Sequence, residues 1–309
     1  MKILKIIPLA FVMIMGILIA CNKEAVNQKT NVSLNASQIS NLALSICDQF
    51  AYPDSIFYLK PQADKYIVKP LTPLAGTYGA FPAGLQINAV NGSINVNKSE
   101  TGLEYIVWFV ASGTTDTCKK FITISGVNYS DSIYVMANNS ALAEPVYNAD
   151  TLIPVNCNGC EFDDGPDDDN GNGNADEPPA GQELIPQGFV IDKTTGVINF
   201  KESIRNGVLG KNPLSGTSKE FTLNYRLGDK SKKALNHISF ELFYYNSQTE
   251  IPAKLKKELS AKQGQVLLEN EDENGDKFTS VNLAEGSGTT AKHGKGEVKC
   301  RPPYIIVTQ

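Results

Sequence analysis

Pro82-Ala83-Gly84-Leu85-Gln86-Ile87-Asn88-Ala89-Val90-Asn91-Gly92-Ser93-Ile94-Asn95 and Pro186-Gln187-Gly188-Phe189-Val190-Ile191-Asp192-Lys193-Thr194-Thr195-Gly196-Val197-Ile198-Asn199 are two versions of one pattern. Ser99 and Ser203 extend it, and every matched position through these serines is offset by 104 residues, as from Pro82 to Pro186. Gly102 with Tyr105-Ile106-Val107, and Gly207 with Phe221-Thr222-Leu223-Asn224-Tyr225, follow in the same order. The pattern predicts a hairpin. Alternating apolar residues on both sides send one face into a core, and Asn91-Gly92 and Thr195-Gly196 supply the turn. Asn-Gly is the stronger turn signal because both residues tolerate positive φ. A repeat at domain spacing means duplicated modules rather than a solenoid.

Short strand-like runs surround the first copy: Ser55–Leu59, Tyr66–Val68, Leu85–Ile87, Ser93–Val96, Glu104–Val110, Phe121–Ile124 and Ser132–Met136. Gly, Pro, Asn and Asp separate them, the signature of a β-sandwich. The second copy has Phe189–Ile191, Gly196–Phe200, Phe221–Leu227 and Ile238–Tyr245. Pro252–Lys262 reads as a short helix, with Pro252 in the first turn, Leu255 and Leu259 on one face, and Gly264 to end it. Glu269–Glu297 is polar and Gly-rich, as a mobile loop would be, and Tyr304-Ile305-Ile306-Val307 can return as the last strand.

The repeated motif resembles the bacterial Ig-like and cadherin-like repeats, whose pattern runs Pro-x-Gly-Leu-x-Ile-Asp, Thr-Gly-x-Ile, then Gly-x-Tyr and an alternating strand. The resemblance covers about 30 residues per module, and the second copy departs from it between Gly207 and Phe221. It implies an all-β chain: two Ig-like β-sandwich modules at 41–137 and 185–309, joined by an acidic linker at 138–184, with one short helix near the C-terminal module.

Ahead of the modules, Lys2 and Lys5 precede an apolar run from Ile6 to Ala20, in outline a secretory signal peptide at 1–20. The run is shorter than the roughly 20 residues of a membrane-spanning helix. Leu18-Ile19-Ala20-Cys21 resembles the bacterial lipobox, and that resemblance implies lipid on Cys21. Two or more acyl chains give stable anchoring. Residues 21–40, rich in Asn, Ser, Lys and Gln, read as a flexible stalk. Together these features resemble outer-membrane lipoproteins of the Bacteroidetes type.

Export permits disulfides. Beyond Cys21 the cysteines are Cys47, Cys118, Cys157, Cys160 and Cys300, an odd number. Cys47 and Cys118 lie near the two ends of the first module and could staple it. Any second bridge would come from Cys157, Cys160 and Cys300, and connectivity is not legible in sequence. Cys157-Asn158-Gly159-Cys160 has redox-motif spacing but sits between β-regions, where a structural disulfide is the better reading.

The linker holds one candidate metal loop. From Asp168, oxygen-bearing side chains fall at loop positions 1, 3 and 5 (Asp168, Asn170, Asn172), Gly173 stands at position 6, the Asn174 carbonyl at 7 and Asp176 at 9. That is the opening of a calcium loop. Position 12 is Pro179 rather than the bidentate glutamate, so an acidic solvated spacer stands slightly ahead of calcium as the reading. Asn270, Asp272, Asn274 and Gly275 form a poorer candidate.

Several function classes are disfavoured. The net charge of −5 comes without a basic block, which excludes a nucleic-acid footprint. Only His237 and His293 could serve a hydrolytic triad, and both read as surface residues. No glycine-rich phosphate loop follows a strand. The lone tryptophan, Trp108, reads as core, with sugar stacking as the alternative if it points outward. Phe243-Tyr244-Tyr245 places aromatics on both faces of its strand, so that at least one is expected to be exposed. The expectation is therefore a non-enzymatic, lipid-anchored envelope protein that binds a glycan or protein, adheres, or plays a structural role. The alternative is an accessory subunit that positions an enzyme or transporter in polysaccharide or nutrient uptake.

Overall fold

The repeated motif closes on itself in the same way twice. In the computed structural model, which describes residues 45–61, 65–138, 141–150, 152–154, 158–166, 176–266 and 303–309, the Asn88 N–H donates to Ser93 O and the Gly92 N–H to Asn88 O. Asp192 bonds Val197 O and Gly196 bonds Asp192 O identically. Each loop is pinned from inside: Asn88 Oδ1 accepts from the N–H groups of Val90 and Asn91, and Asp192 Oδ1 from those of Thr194 and Thr195. Only the glycines, Gly92 at φ 68° and Gly196 at φ 74°, take positive φ. The two-residue Asn-Gly turn expected from sequence is thus replaced by a wider loop, because the Asn88 or Asp192 side chain competes successfully for backbone donors. Ser99 and Ser203 complete the match. Each hydroxyl donates to the carbonyl four residues back and accepts the N–H of Gln86 or Val190.

The first module runs through helix α1 (Ile46–Gln49) and strands β1 (Ile56–Phe57), β2 (Ile67–Val68), β3 (Gly76–Phe81), β4 (Ile94–Asn95), β5 (Leu103–Ala111) and β6 (Thr117–Ile124). A four-stranded sheet in the order β1-β6-β5-β3 faces the β2-β4 pair across one core. Alternation on β5 puts Leu103, Tyr105, Val107 and Phe109 into that core, where the Phe109 ring lies 4.7 Å from Tyr78. The Cys47–Cys118 disulfide ties α1 to β6, the staple foreseen for these two cysteines.

The second module begins earlier than the sequence indicates. Strands β7 (Val127–Tyr129) and β8 (Ser132–Val135), assigned above to the first module, belong to the second. So do β9 (Leu142–Ala143), β10 (Pro145–Tyr147) and β11 (Glu161–Phe162), which fall within the expected linker. After β12 (Ile198–Asn199) and helix α2 (Phe200–Arg205) come β13 (Thr217–Arg226), β14 (Asn236–Tyr245), helix α3 (Ala253–Val266) and β15 (Tyr304–Thr308). The main sheet has the order β11-β13-β14-β15-β8, with β9-β12 and β7-β10 as pairs. The boundary moves from Ala137 to Ser125-Gly126 because the burial partners of Val127, Tyr129 and Tyr134 are in the second core. Leu44–Gln309 forms a single compact unit by its internal contacts.

The duplication extends upstream of the motif. Tyr52 donates its hydroxyl to Gly92 O at 2.6 Å, and Tyr129 to Gly196 O at 2.6 Å. The sheets differ in one respect: β1 pairs directly and in parallel with β6, whereas β15 stands between β14 and β8, parallel to both. A strand covered on both faces needs a continuous apolar run. Ile305 and Val307 enter the main core, while Ile306 meets Leu255 and Leu259 of α3 on the other face. The helix runs on through Gly264 to Val266, since one glycine costs only about 1 kcal/mol. Pro252 lies just before it.

Candidate functional site

A polar joint locks the two modules together. Ser125 and Gly126 alone separate β6 from β7, and a Cβ on Gly126 would meet Thr101 at 2.6 Å. The Val127 N–H donates to the Tyr225 hydroxyl (3.0 Å), which lies 3.1 Å from Thr101 Oγ1. Thr101 in turn donates to Asn236 Oδ1 at 2.7 Å. Thr101 has a single hydroxyl proton, already given to Asn236, so Tyr225 must be the donor toward Thr101. The relay is therefore directional and crosses the joint. Beside it, Ser125 and Tyr147 each donate to Asp229 Oδ2 at 2.9 Å. Burial, together with the neighbouring Asp229 carboxylate, pushes the Tyr147 hydroxyl above its usual range and keeps it a donor.

A second network pins the base of the acidic linker. Arg226 is fully buried; its Nε donates to Asp164 Oδ2 at 2.7 Å, and both side chains have 0% exposure. Its remaining donors reach Asp176 Oδ1 (3.3 Å), Asp176 O (2.6 Å), Glu177 Oε2 (3.4 Å) and Lys233 O (2.9 Å). One guanidinium thus holds carboxylates from both flanks of the linker. Asp163 adds a fixed turn: its carboxylate accepts the N–H groups of Leu184 and Ile185.

The predicted site residues fall unevenly on this frame. Cys21, Asp168, Asn170, Asn172, Asn174, Cys157, Cys300 and His293 lie outside the described residues, as do the signal peptide, the stalk and 269–297. Asp176 is described, and both of its carboxylate oxygens already accept hydrogen bonds, from Arg226 and from the Leu235 N–H (2.8 Å). Cys160 is disulfide-bonded. Among the described residues, no group of three His, Cys, Asp or Glu side chains is placed to hold a metal ion.

Two surfaces offer themselves for binding. A cleft of about 380 Å³ at the joint is lined in part by Asn97, Lys98, Glu100, Glu220, His237 and Ser239, a mixed-charge set suited to hydrogen bonding with a polar ligand. His237 is exposed there, as expected. The outer face of the first sheet carries Trp108, half-buried and facing away from the core, contrary to the default reading. A Cβ at Gly79 would lie 2.1 Å from the Trp108 ring, so the indole occupies the space above that glycine. The row Phe81, Ile106 and Phe121 runs beside it; Phe121 is 40% exposed, Phe81 half-buried and Ile106 fully covered. Tyr244 and Tyr245, by contrast, are buried and Phe243 half-buried, because α3 covers the face on which an exposed ring was expected. The joint itself was missed in sequence: the Gly102 and Gly126 positions mark it only once their neighbours are known.

No protein-family model and no curated protein matches this chain. Solved structures with partial likeness include a SusE-like surface-located polysaccharide-binding protein from the Bacteroides thetaiotaomicron heparin utilisation locus. It is 10% identical, with a TM-score of 0.23 over 65% of this chain and 34% of that one. PcdhgB3 EC1-4 is 9% identical, with a TM-score of 0.17 over 63% of this chain and 50% of that one. Both are weak likenesses between β-rich chains, and this chain spans half or less of each.

Proposed function

We propose that this protein is a lipid-anchored component of the cell envelope, probed from outside by its ligand, with a non-catalytic binding role. Two Ig-like β-sandwich modules display the binding surface from a stalk, and the ligand class is a glycan or an extracellular protein. The observation that carries this reading is the buried relay from Val127 through Tyr225 and Thr101 to Asn236. A hydrogen-bonded joint that holds surfaces of both modules in one geometry lowers the ordering cost of binding a ligand that spans them. Hydrogen bonds inside the joint serve position, not bond-making chemistry. The Cys21 lipobox resemblance supplies the anchor.

The test has two arms. Cys21→Ala should move the protein from the membrane fraction to the soluble one, and full retention in the membrane would remove the anchor. The soluble chain from residue 22 onward should then score in a glycan and secreted-protein binding screen, with Tyr225→Phe weakening any ligand that contacts both modules. Turnover of a hit rather than stable binding would overturn the non-catalytic role.

A further inference from the structure

The second module departs from the first in three places, and all three meet at one cavity. The helical segment after the motif lengthens from the 3-10 turn Val96–Lys98 to α2, a stretch from 208 to 216 is inserted before β13, and β15 is added to the sheet. A cavity of about 550 Å³ opens between them. That volume lies inside the roughly 300–1,000 Å³ range of small-molecule sites.

Its charge is opposite to that of the chain. Lys201 and Arg205 from α2 and Lys211 from the insertion line it, together with the amides of Asn212, Asn246 and Gln309. No Asp or Glu side chain is among the described residues that line it, although the whole chain carries a net charge of −5. Two nearby acids have defined partners. Glu202 pairs with Arg205 NH1 at 2.7 Å, a contact using one of the five guanidinium donors, and Glu250 accepts from Ser215 and Ser247. The rim is anchored rather than loose: the Asn246 N–H donates to Ser215 Oγ at 3.3 Å and the Gly216 N–H to Tyr244 O at 2.8 Å. The buried Tyr244 hydroxyl accepts from Gln309 Nε2 at 2.7 Å and donates to Asn246 Oδ1 at 3.4 Å. Both amides are thereby oriented, with Gln309 Oε1 as an acceptor and Asn246 Nδ2 as a donor that make no hydrogen bond among the described residues.

Three cations select an anion, and oriented amides that offer both a donor and an acceptor suit neighbouring hydroxyl groups. From this we propose that the cavity binds an acidic saccharide, its carboxylate or sulfate group met by Lys201, Arg205 and Lys211 and its hydroxyls by Asn246 and Gln309. The inference rests on the binding role proposed above and names the ligand class for one site. In the first module the corresponding segment, Ser99–Gly102, is shorter and is spent on the joint, so the site belongs to the second copy alone.

Calorimetric titration of the full soluble chain tests it with four probes: a uronic-acid oligosaccharide, a sulfated oligosaccharide, an uncharged oligosaccharide of equal length, and inorganic sulfate. One of the acidic oligosaccharides is expected to bind, and more weakly as salt rises from about 0.05 to about 0.5 M. Lys201→Gln with Lys211→Gln should weaken that binding by about tenfold or more, with the melting temperature unchanged, since neither side chain is in the core. The source of the anion follows from which acidic probe wins. Equal binding of the uncharged oligosaccharide, equal binding by the double variant, or failure of both acidic probes would overturn the proposal. Inorganic sulfate binding as tightly as the oligosaccharide would reduce the site to a simple anion site and overturn the saccharide assignment. An acidic oligosaccharide that binds the double variant normally removes this site and leaves the broader binding role standing, whereas an empty screen removes that role.

Discussion

Arg226→Met is the sharpest perturbation this structure offers. The substitution keeps a long unbranched side chain in a position of 0% exposure while removing five donors. Asp164 then loses the only ionic partner it has among the described residues, in a site where its own exposure is also 0%, and breaking a buried pair from one side costs about 3–5 kcal/mol. The carbonyls of Asp176 and Lys233 lose a donor each, adding about 1 kcal/mol apiece. Asp176 and Glu177 contribute little more, because their contacts are long and their carboxylates 23% and 33% exposed. The sum, about 5–7 kcal/mol, is comparable with the whole stability of an ordinary domain, about 5–15 kcal/mol. Urea unfolding at neutral pH reads the loss. Arg226→Met combined with Asp164→Leu removes the orphaned charge and should recover more than half of it, because an apolar pair of similar volume can replace a buried ion pair. A single variant within about 1 kcal/mol of the parent, or a double variant no more stable than the single, would refute the clamp.

Four further outcomes are expected. Cys47→Ala with Cys118→Ala should cost up to about 4 kcal/mol of unfolding free energy, the chain-entropy value for a closed loop with a sequence separation of 71, and a loss near zero would show the staple to be redundant. Gly79→Val drives a side chain into the ring of Trp108, the chain's single tryptophan, so a shift in intrinsic fluorescence should accompany the loss of stability; an unchanged spectrum would place the indole elsewhere. Asp192 is held below the usual carboxylate range by the N–H groups of Thr195 and then Thr194. Its contribution is therefore present above the unfolded value of about 3.9 and lost as pH falls through the lower folded value. Asp192→Asn, which copies Asn88 of the first module, should flatten that acid limb and leave neutral-pH stability nearly unchanged, and an identical acid limb would sink the assignment. Calcium in the linker is tested by melting temperature at millimolar metal, the usual affinity range of extracellular modules; a rise abolished by Asp168→Ala assigns the loop to calcium, and no rise assigns it to a spacer.

Much of the fold was legible because its signals are local. The motif loops, the alternation of β5 and β14, the Leu255 and Leu259 face of α3, and the apolar run of β15 each follow from residues close in sequence. The module boundary was not legible. Val127–Tyr129 and Ser132–Val135 fall inside the 41–137 span that sequence gives to the first module, and only their pairing with β10 and β15 assigns them to the second. The same holds for the binding surfaces. Trp108 reads as core because its strand alternates, yet Tyr105, Val107 and Phe109 take the inward positions and leave it the outer face. Gly79, on the adjacent strand, is what makes room for it, and no spacing rule links the two. Arg226 and Asp164 are 62 residues apart, and their pairing depends on where the linker re-enters.

The inserted strand explains why the second module needs so much more chain than the first. In the first, β1 closes directly on β6, and two residues of pairing suffice. Placing β15 between β14 and β8 in parallel separates those edges and exposes a second apolar face, since Ile306 points away from the main core. A parallel neighbour cannot be reached by a hairpin, so a crossover is obligatory. The crossover helix α3 then covers Ile306 with Ile251, Leu255 and Leu259. Strand and helix are mutually dependent: without α3, β15 would leave Ile306 in water, and without β15 the apolar face of α3 would have no partner at that position. At its start β15 is fixed by a polar contact as well, the Tyr304 N–H donating to Asp131 Oδ1 at 2.7 Å. The duplication was thus extended by a strand-and-helix unit rather than by a strand alone.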